Sequence, residues 1–156
     1  MAPSKRKTTR PARAVPTKSG AMREADYAAL AQFRYQLRTF LAFSEAAAQS
    51  AGLTPQQHQA LLAIKGLAAP DGASVGDIAR FLLIRHHTAV ELVDRMAKLK
   101  LIGREADPDD ARRVLVKLTA KGERKLRSLS RIHLDELSAA APGLGKILRA
   151  FRAKRR

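Results

Sequence analysis

The sequence predicts a mainly α-helical protein with one small β-wing, and three observations carry that expectation. Apolar residues recur at three- and four-residue spacing through most of the 156 residues, in a chain that is 46% apolar yet only 4% aromatic. The period changes to two only near Leu101–Leu118. Capping residues and helix-ending glycine fall where the helical runs should start and stop.

The first helix is expected from Arg23 to Ser50. Tyr27, Leu30, Phe33 or Arg34, Leu37, Phe40, Leu41, Ser44 and Ala48 form its stripe, and Gly52 ends it. The second opens with Thr54 as cap, Pro55 at the first helical position and Gln57 closing a capping box. It should turn Ala60, Leu61, Ile64 and Leu67 inward. Residues 69–72 read as a loop. Ser74 caps a third helix, with Asp77 three residues on and Ile78, Ala79 and Leu82 inward. A short link, Leu83 to Arg85, leads to a fourth helix with Val90, Leu92, Val93, Met96, Ala97 and Leu99 inward.

Two strands follow, Leu101–Ala106 and Arg112–Leu118, with Val114, Val116 and Leu118 sharing a face. Between them Asp107-Pro108-Asp109-Asp110 suits a type I turn. Beyond Thr119 a helix carries Leu126, Leu129, Ile132, His133 and Leu137 on one side. Pro142 then opens a last helix with Leu144, Ile147, Leu148 and Phe151. No internal repeat is present.

Helix, turn, helix and basic hairpin in that order make a winged helix-turn-helix over residues 53–119. The fourth helix sets His86, His87, Thr88, Glu91, Arg95 and Lys98 on its outer face. A row of hydrogen-bonding side chains on such a helix suits base edges in a major groove. A winged helix of this size does not need both flanking helical segments, 23–52 and 120–156, to close its core. Their apolar stripes predict burial against a second copy, hence a homodimer. A monomeric mass at micromolar concentration would contradict that expectation.

Net charge is +16, but residues 1–20 and 146–156 each contribute +6, so the folded middle keeps +4. Basic ends attract any polyanion, so charge alone does not identify the partner. Residues 1–22, rich in Pro, Ser, Thr, Lys and Arg, are expected to be a disordered basic tail ahead of a single domain, 23–156. The absence of cysteine excludes disulfides and thiolate metal sites. No apolar run is long enough to span a bilayer, and the N-terminus has no signal-peptide core, so a cytoplasmic protein without membrane association is expected. No nucleophile–base pair, metal-ligand spacing or phosphate loop appears, so no catalysis, cofactor or metal is expected.

From about Arg23 onward the chain resembles the MarR family of transcriptional regulators. The matching segments are Leu53-Thr54-Pro55-Gln56, Val75-Gly76-Asp77-Ile78-Ala79, Leu92-Val93-Asp94-Arg95 and Leu101-Ile102-Gly103-Arg104. Asp110-Ala111-Arg112, followed after five residues by Leu118-Thr119 and then Lys121-Gly122, completes the pattern. The resemblance implies a dimer on a palindromic operator in double-stranded DNA, its recognition helices in successive major grooves and wing arginines in the flanking minor grooves. It also implies a small-molecule effector whose binding weakens the DNA complex, hence a repressor. By position, His86, His87, Thr88 and Glu91 become base-reading candidates. Arg112 becomes the minor-groove residue with Asp110 orienting it through a charge-assisted bond. Arg95, Arg104 and Arg113 become phosphate or structural partners. Glycine is common in the family at the positions of Leu83 and Lys100, so either Lys100 adopts the end-of-helix geometry at a cost of about 1 kcal/mol or the helix ends differently.

Plainer readings stand beside each of these. Adjacent histidines point about a quarter turn apart, which argues against a metal site at His86 and His87. Glu91 could equally form a helix salt pair with Arg95, and Arg95, which follows Asp94 inside an apolar stripe, could equally form a structural ion pair as contact phosphate. His58 and His133 could line the effector pocket or be satisfied core histidines. A basic architectural protein without sequence preference, and a winged helix that binds protein, remain the rival functions. Competition with random DNA separates the first from a specific regulator, and a gel shift separates the second.

Overall fold

A computed structural model describes residues 22–67 and 71–153. The basic tail expected over 1–22 falls outside them except for Met22, as do residues 68–70, which include the first half of the loop expected over 69–72, and the last three residues. The elements are α1 (Glu24–Ser50), α2 (Pro55–Leu67), β1 (Ala73–Ser74), α3 (Val75–Leu82), α4 (His86–Lys98), β2 (Ile102–Ala106), β3 (Val114–Leu118) and α5 (Ala120–Ala153). The strands form an antiparallel sheet in the order β1-β3-β2, with Ala73 opposite Val116 and Ile102 opposite Leu118. The two-residue β1 is too short to leave a periodic signal in the sequence.

Local chemistry starts the helices as expected. The Gln57 amide donates to Thr54 Oγ1 at 3.2 Å, and the Thr54 amide donates to Gln57 Oε1 at 3.0 Å. Ser74 and Asp77 form the same reciprocal pair at 3.1 and 3.0 Å. One hydrophobic core then joins the end of α1 (Ala48) to Leu61 and Ile64 of α2, Ile78 of α3, Leu92, Val93 and Met96 of α4, Val116 of β3 and Leu126 and Leu129 of α5. Gly122 lets α5 cross the start of β2: a Cβ there would meet the Leu101 carbonyl oxygen at 2.1 Å.

The inward stripes differ from the expected ones at several positions. In α4 the buried set is Ala89, Leu92, Val93 and Met96, spaced zero, three, four and seven, while Val90 and Leu99 are exposed. Val90, expected in the inward stripe, yields that place to Ala89 in the helical phase. In α2, Leu67 is exposed and Ala63 is buried. In β3, Val114 is exposed at the wing and Leu115 is buried beside Gly72, where the backbone at φ +100° passes close to β3.

The expected break at Pro142 is absent, and α5 runs through it. Proline removes one helical hydrogen bond, to the carbonyl of residue 138. Ser138 and Pro142 are exposed, so water can take that carbonyl, while Ile147 and Phe151 hold the far segment to the fold. α1 packs antiparallel on α5, with Phe33 edge-on to Phe151 at 6.0 Å between centroids. Beside that packed face, Tyr27, Leu30, Leu37 and Leu41 of α1 and Ile132, Leu134, Leu137 and Leu148 of α5 stay exposed.

Two non-glycine residues take left-handed backbone: Leu83 (φ 56°) closing α3 and Lys100 (φ 57°) after α4. At Lys100 the geometry satisfies the helix end, since its amide donates to the Ala97 carbonyl at 2.9 Å and the next amide to Met96 at 3.0 Å. Lys100→Gly keeps both bonds and removes the Cβ strain. Its expected effect is a gain of about 1 kcal/mol in urea denaturation; an unchanged or lower stability would contradict this account of the turn.

Candidate nucleic-acid interface

Two constraints set the presentation of α4. Burial of Ala89, Leu92, Val93 and Met96 fixes its rotation, and the turn at Leu83 fixes its angle to α3. His86, His87, Glu91 and Arg95 are therefore exposed, and Thr88 is half-buried at the edge of that face. Arg85 is the N-cap with no side-chain bond to the first turn. The other end is anchored to α5: Lys121 Nζ donates to the Leu99 carbonyl at 2.8 Å and Thr119 Oγ1 to the Lys100 carbonyl at 2.7 Å. A cation at a helix C-terminus also complements the helix dipole.

The wing tip differs from the expected turn. The closing bond runs from the Arg113 amide to the Asp110 carbonyl at 2.8 Å, so the turn spans 110–113 and not 107–110. Asp107 and Asp110 instead accept from backbone amides two residues on, Asp109 at 2.9 Å and Arg112 at 3.0 Å. These Asx bonds outcompete a turn at Pro108 because each carboxylate satisfies an amide locally. Asp110 thus holds the backbone of Arg112 and makes no bond to its guanidinium.

The wing arginines divide into two kinds. Arg104 of β2 pairs with Asp94 of α4. Arg113 lies between Asp107 at 3.7 Å and Asp77 at 3.8 Å. Asp77 also accepts from the Ser74 hydroxyl at 2.7 Å and from Arg80 at 2.8 Å. The Ser74 hydroxyl first, with Arg80 and Arg113 adding, holds its carboxyl below the usual carboxylate range. Arg112 is exposed and, among the described residues, in no ion pair. Arg95 and Glu91 are also in none, so the helix pair weighed between them does not form. The sequence offered no signal for the bond between Arg104 and Asp94, ten residues apart, nor for the hold of Asp77 on the wing.

His58 and His133 meet at the junction of α1, α2 and α5, their rings 4.7 Å apart. His133 Nε2 is 2.8 Å from Ser44 Oγ and Nδ1 is 2.7 Å from the Leu129 carbonyl. Phe40 and Phe43 pack edge-on against the His133 ring. The two rings fill the space between them, in the manner of satisfied core histidines. Burial first, and the charge on His133 second, push the His58 ring below its ordinary value.

Residues 51–113 match the model of the MarR family. This segment belongs to the MarR family. The whole arrangement also resembles solved MarR-type structures. MepR of Staphylococcus aureus, a transcription regulator of the multidrug efflux pump MepA, matches at 22% identity and TM-score 0.66, over 83% of this chain and 95% of MepR. CouR of Rhodococcus jostii, solved with p-coumaroyl-CoA, matches at 18% identity and TM-score 0.67, over 86% and 92%. A MepR mutant bound to an oligodeoxyribonucleotide matches at 23% identity and TM-score 0.60, over 83% and 94%. No curated protein matches the chain. The fold is thus the MarR-type winged helix, with α4 as the second helix of its helix-turn-helix and the β2–β3 hairpin as its wing.

The depressed His58 gives a pH dependence with a definite sign. The folded state resists protonation at a site that an unfolded chain protonates at about pH 6.5. The unfolded state therefore binds more protons below that pH, and stability falls as the solution is acidified through this range. The urea midpoint should be level from pH 8 to 7 and drop progressively as the pH falls below about 6.5. His58→Gln should flatten part of the drop; an equal slope in that variant would remove His58 as its source.

Proposed function

We propose that this protein is a sequence-specific DNA-binding transcriptional regulator, a homodimer that represses from a palindromic operator and is released by a small-molecule effector. The observation that carries the reading is the ion pair between Arg104 and Asp94, which ties the wing to α4. Exposed His86, His87 and Glu91 can then meet base edges in a major groove while Arg112, in no ion pair among the described residues, reaches the neighbouring minor groove. Thr88 borders the same groove face, and Arg95 is placed for phosphate. Arg104 and Arg113, already paired with carboxylates, act as supports.

The homodimer is supported by the exposed stripes of α1 and α5, which lie beside the face where those helices already pack. In such a dimer two copies of α4 would face one side of the duplex about one helical turn apart. The effector is supported by CouR, solved with p-coumaroyl-CoA. The junction of α1, α2 and α5 links the dimerisation helices to the winged helix, and an effector seated there would have to part the packed rings of His58 and His133. No helix among the described residues is long and apolar enough to cross a membrane, and we place the protein in the cytoplasm.

The basic ends favour a second reading, binding without sequence preference, because they carry most of the excess charge. One experiment separates the two. With excess random competitor at physiological salt, the full chain should retain its operator, and Arg112→Ala should weaken that complex by about 1–3 kcal/mol with folding intact. Unchanged affinity in the variant would remove the wing from the mechanism. Loss of the wild-type complex to competitor would favour the architectural reading.

A further inference from the structure

His86, His87, Val90 and Glu91 are the exposed residues of the first two turns of α4, and only Val90 carries no hydrogen-bonding group. Three and four residues beyond the two histidines, Val90 sits one turn along on the same side of the helix. It is 37% exposed, and the core closes beneath it through Ala89 and Val93, both 0% exposed. A single apolar residue on a surface is ordinary. Its position among groups that would face base edges is what gives this one a consequence.

The major groove offers hydrogen-bonding groups at every base pair, and the C5-methyl of thymine is its apolar group. A β-branched side chain in a helix is held in one preferred rotamer, so little freedom is lost when its methyls meet a partner. We propose that Val90 reads a thymine methyl and is a specificity-determining residue of this interface, favouring thymine over cytosine at one position of each half-site. The inference rests on the reading of α4 as the groove-facing helix. It adds an apolar contact to the polar ones considered so far.

Deoxyuridine keeps every hydrogen-bonding group of thymidine and lacks only the methyl, so it isolates the contact. The full chain is first used to select duplexes from a random pool, and each thymine of the half-site is then replaced in turn. Burial of a methyl-sized group is worth about 0.8 kcal/mol, so at one thymine the wild type should lose about fourfold in affinity. Val90→Ala should bind the thymine duplex about fourfold more weakly and lose nothing more on replacement. Its thermal midpoint and its affinity for random duplex establish that the variant is folded. An equal deoxyuridine penalty in wild type and Val90→Ala would overturn the role of Val90 while leaving the DNA reading intact. So would the lack of a penalty at every thymine. If no duplex is enriched, the DNA reading falls and Val90 with it.

Discussion

The rotation of α4 about its own axis is the constraint on which the rest of the interface depends. Four buried side chains set it: Ala89, Leu92, Val93 and Met96 are all 0–1% exposed and project into the core shared with α2, β3 and α5. A shift of one residue in that stripe would turn the helix by about 100°. It would bring His86 and His87 away from solvent and bury Val90 in place of Ala89. Apolar burial of four such side chains, at about 1.5–3 kcal/mol for each large one, outweighs any preference among the polar residues opposite. The core thus chooses the face that is presented, and the exposed side chains only decide what that face recognises.

The wing is positioned differently, by charges near the surface. Exposed ion pairs are worth about 0–1 kcal/mol each, so the bonds of Arg104 to Asp94 and of Arg113 to Asp77 and Asp107 add little to stability. What they add is direction. Each occupies an arginine with a carboxylate from α3, α4 or the hairpin itself, and leaves Arg112 as the wing arginine with its guanidinium uncommitted among the described residues. The three wing-tip aspartates would repel phosphate if they were free. Asp107 and Asp110 are instead engaged with backbone amides and, for Asp107, with Arg113.

Much of this was legible in the sequence, because periodicity and capping act locally. The capping boxes at Thr54 and Ser74, the hairpin and the left-handed Lys100 all formed where expected. The misplacements share a physical cause, which is dependence on distant parts of the fold. Val90 and Ala89 are one residue apart, and only the core decides which is covered. Pro142 reads as a break because its exposure, which makes the lost bond tolerable, is tertiary information. The wing-tip turn moved by three residues because two aspartates compete with Pro108 for local bonds. The ion pair between Arg104 and Asp94 needs β2 to lie against α4, and no spacing in the sequence reports that.

The exposed stripes of α1 and α5 extend the same logic beyond one chain. Tyr27, Leu30, Leu37 and Leu41 recur at helical spacing but do not face the core of their own molecule. A twofold partner would cover them and would also place a second α4 on the same face of a duplex. Recognition by paired helices leaves a mark on the preferred sequence itself. Selection of bound duplexes from a random pool at physiological salt should enrich an inverted repeat, its half-sites centred about 10 base pairs apart. A pool that stays unenriched, or one that yields a single unrepeated motif, would contradict the account.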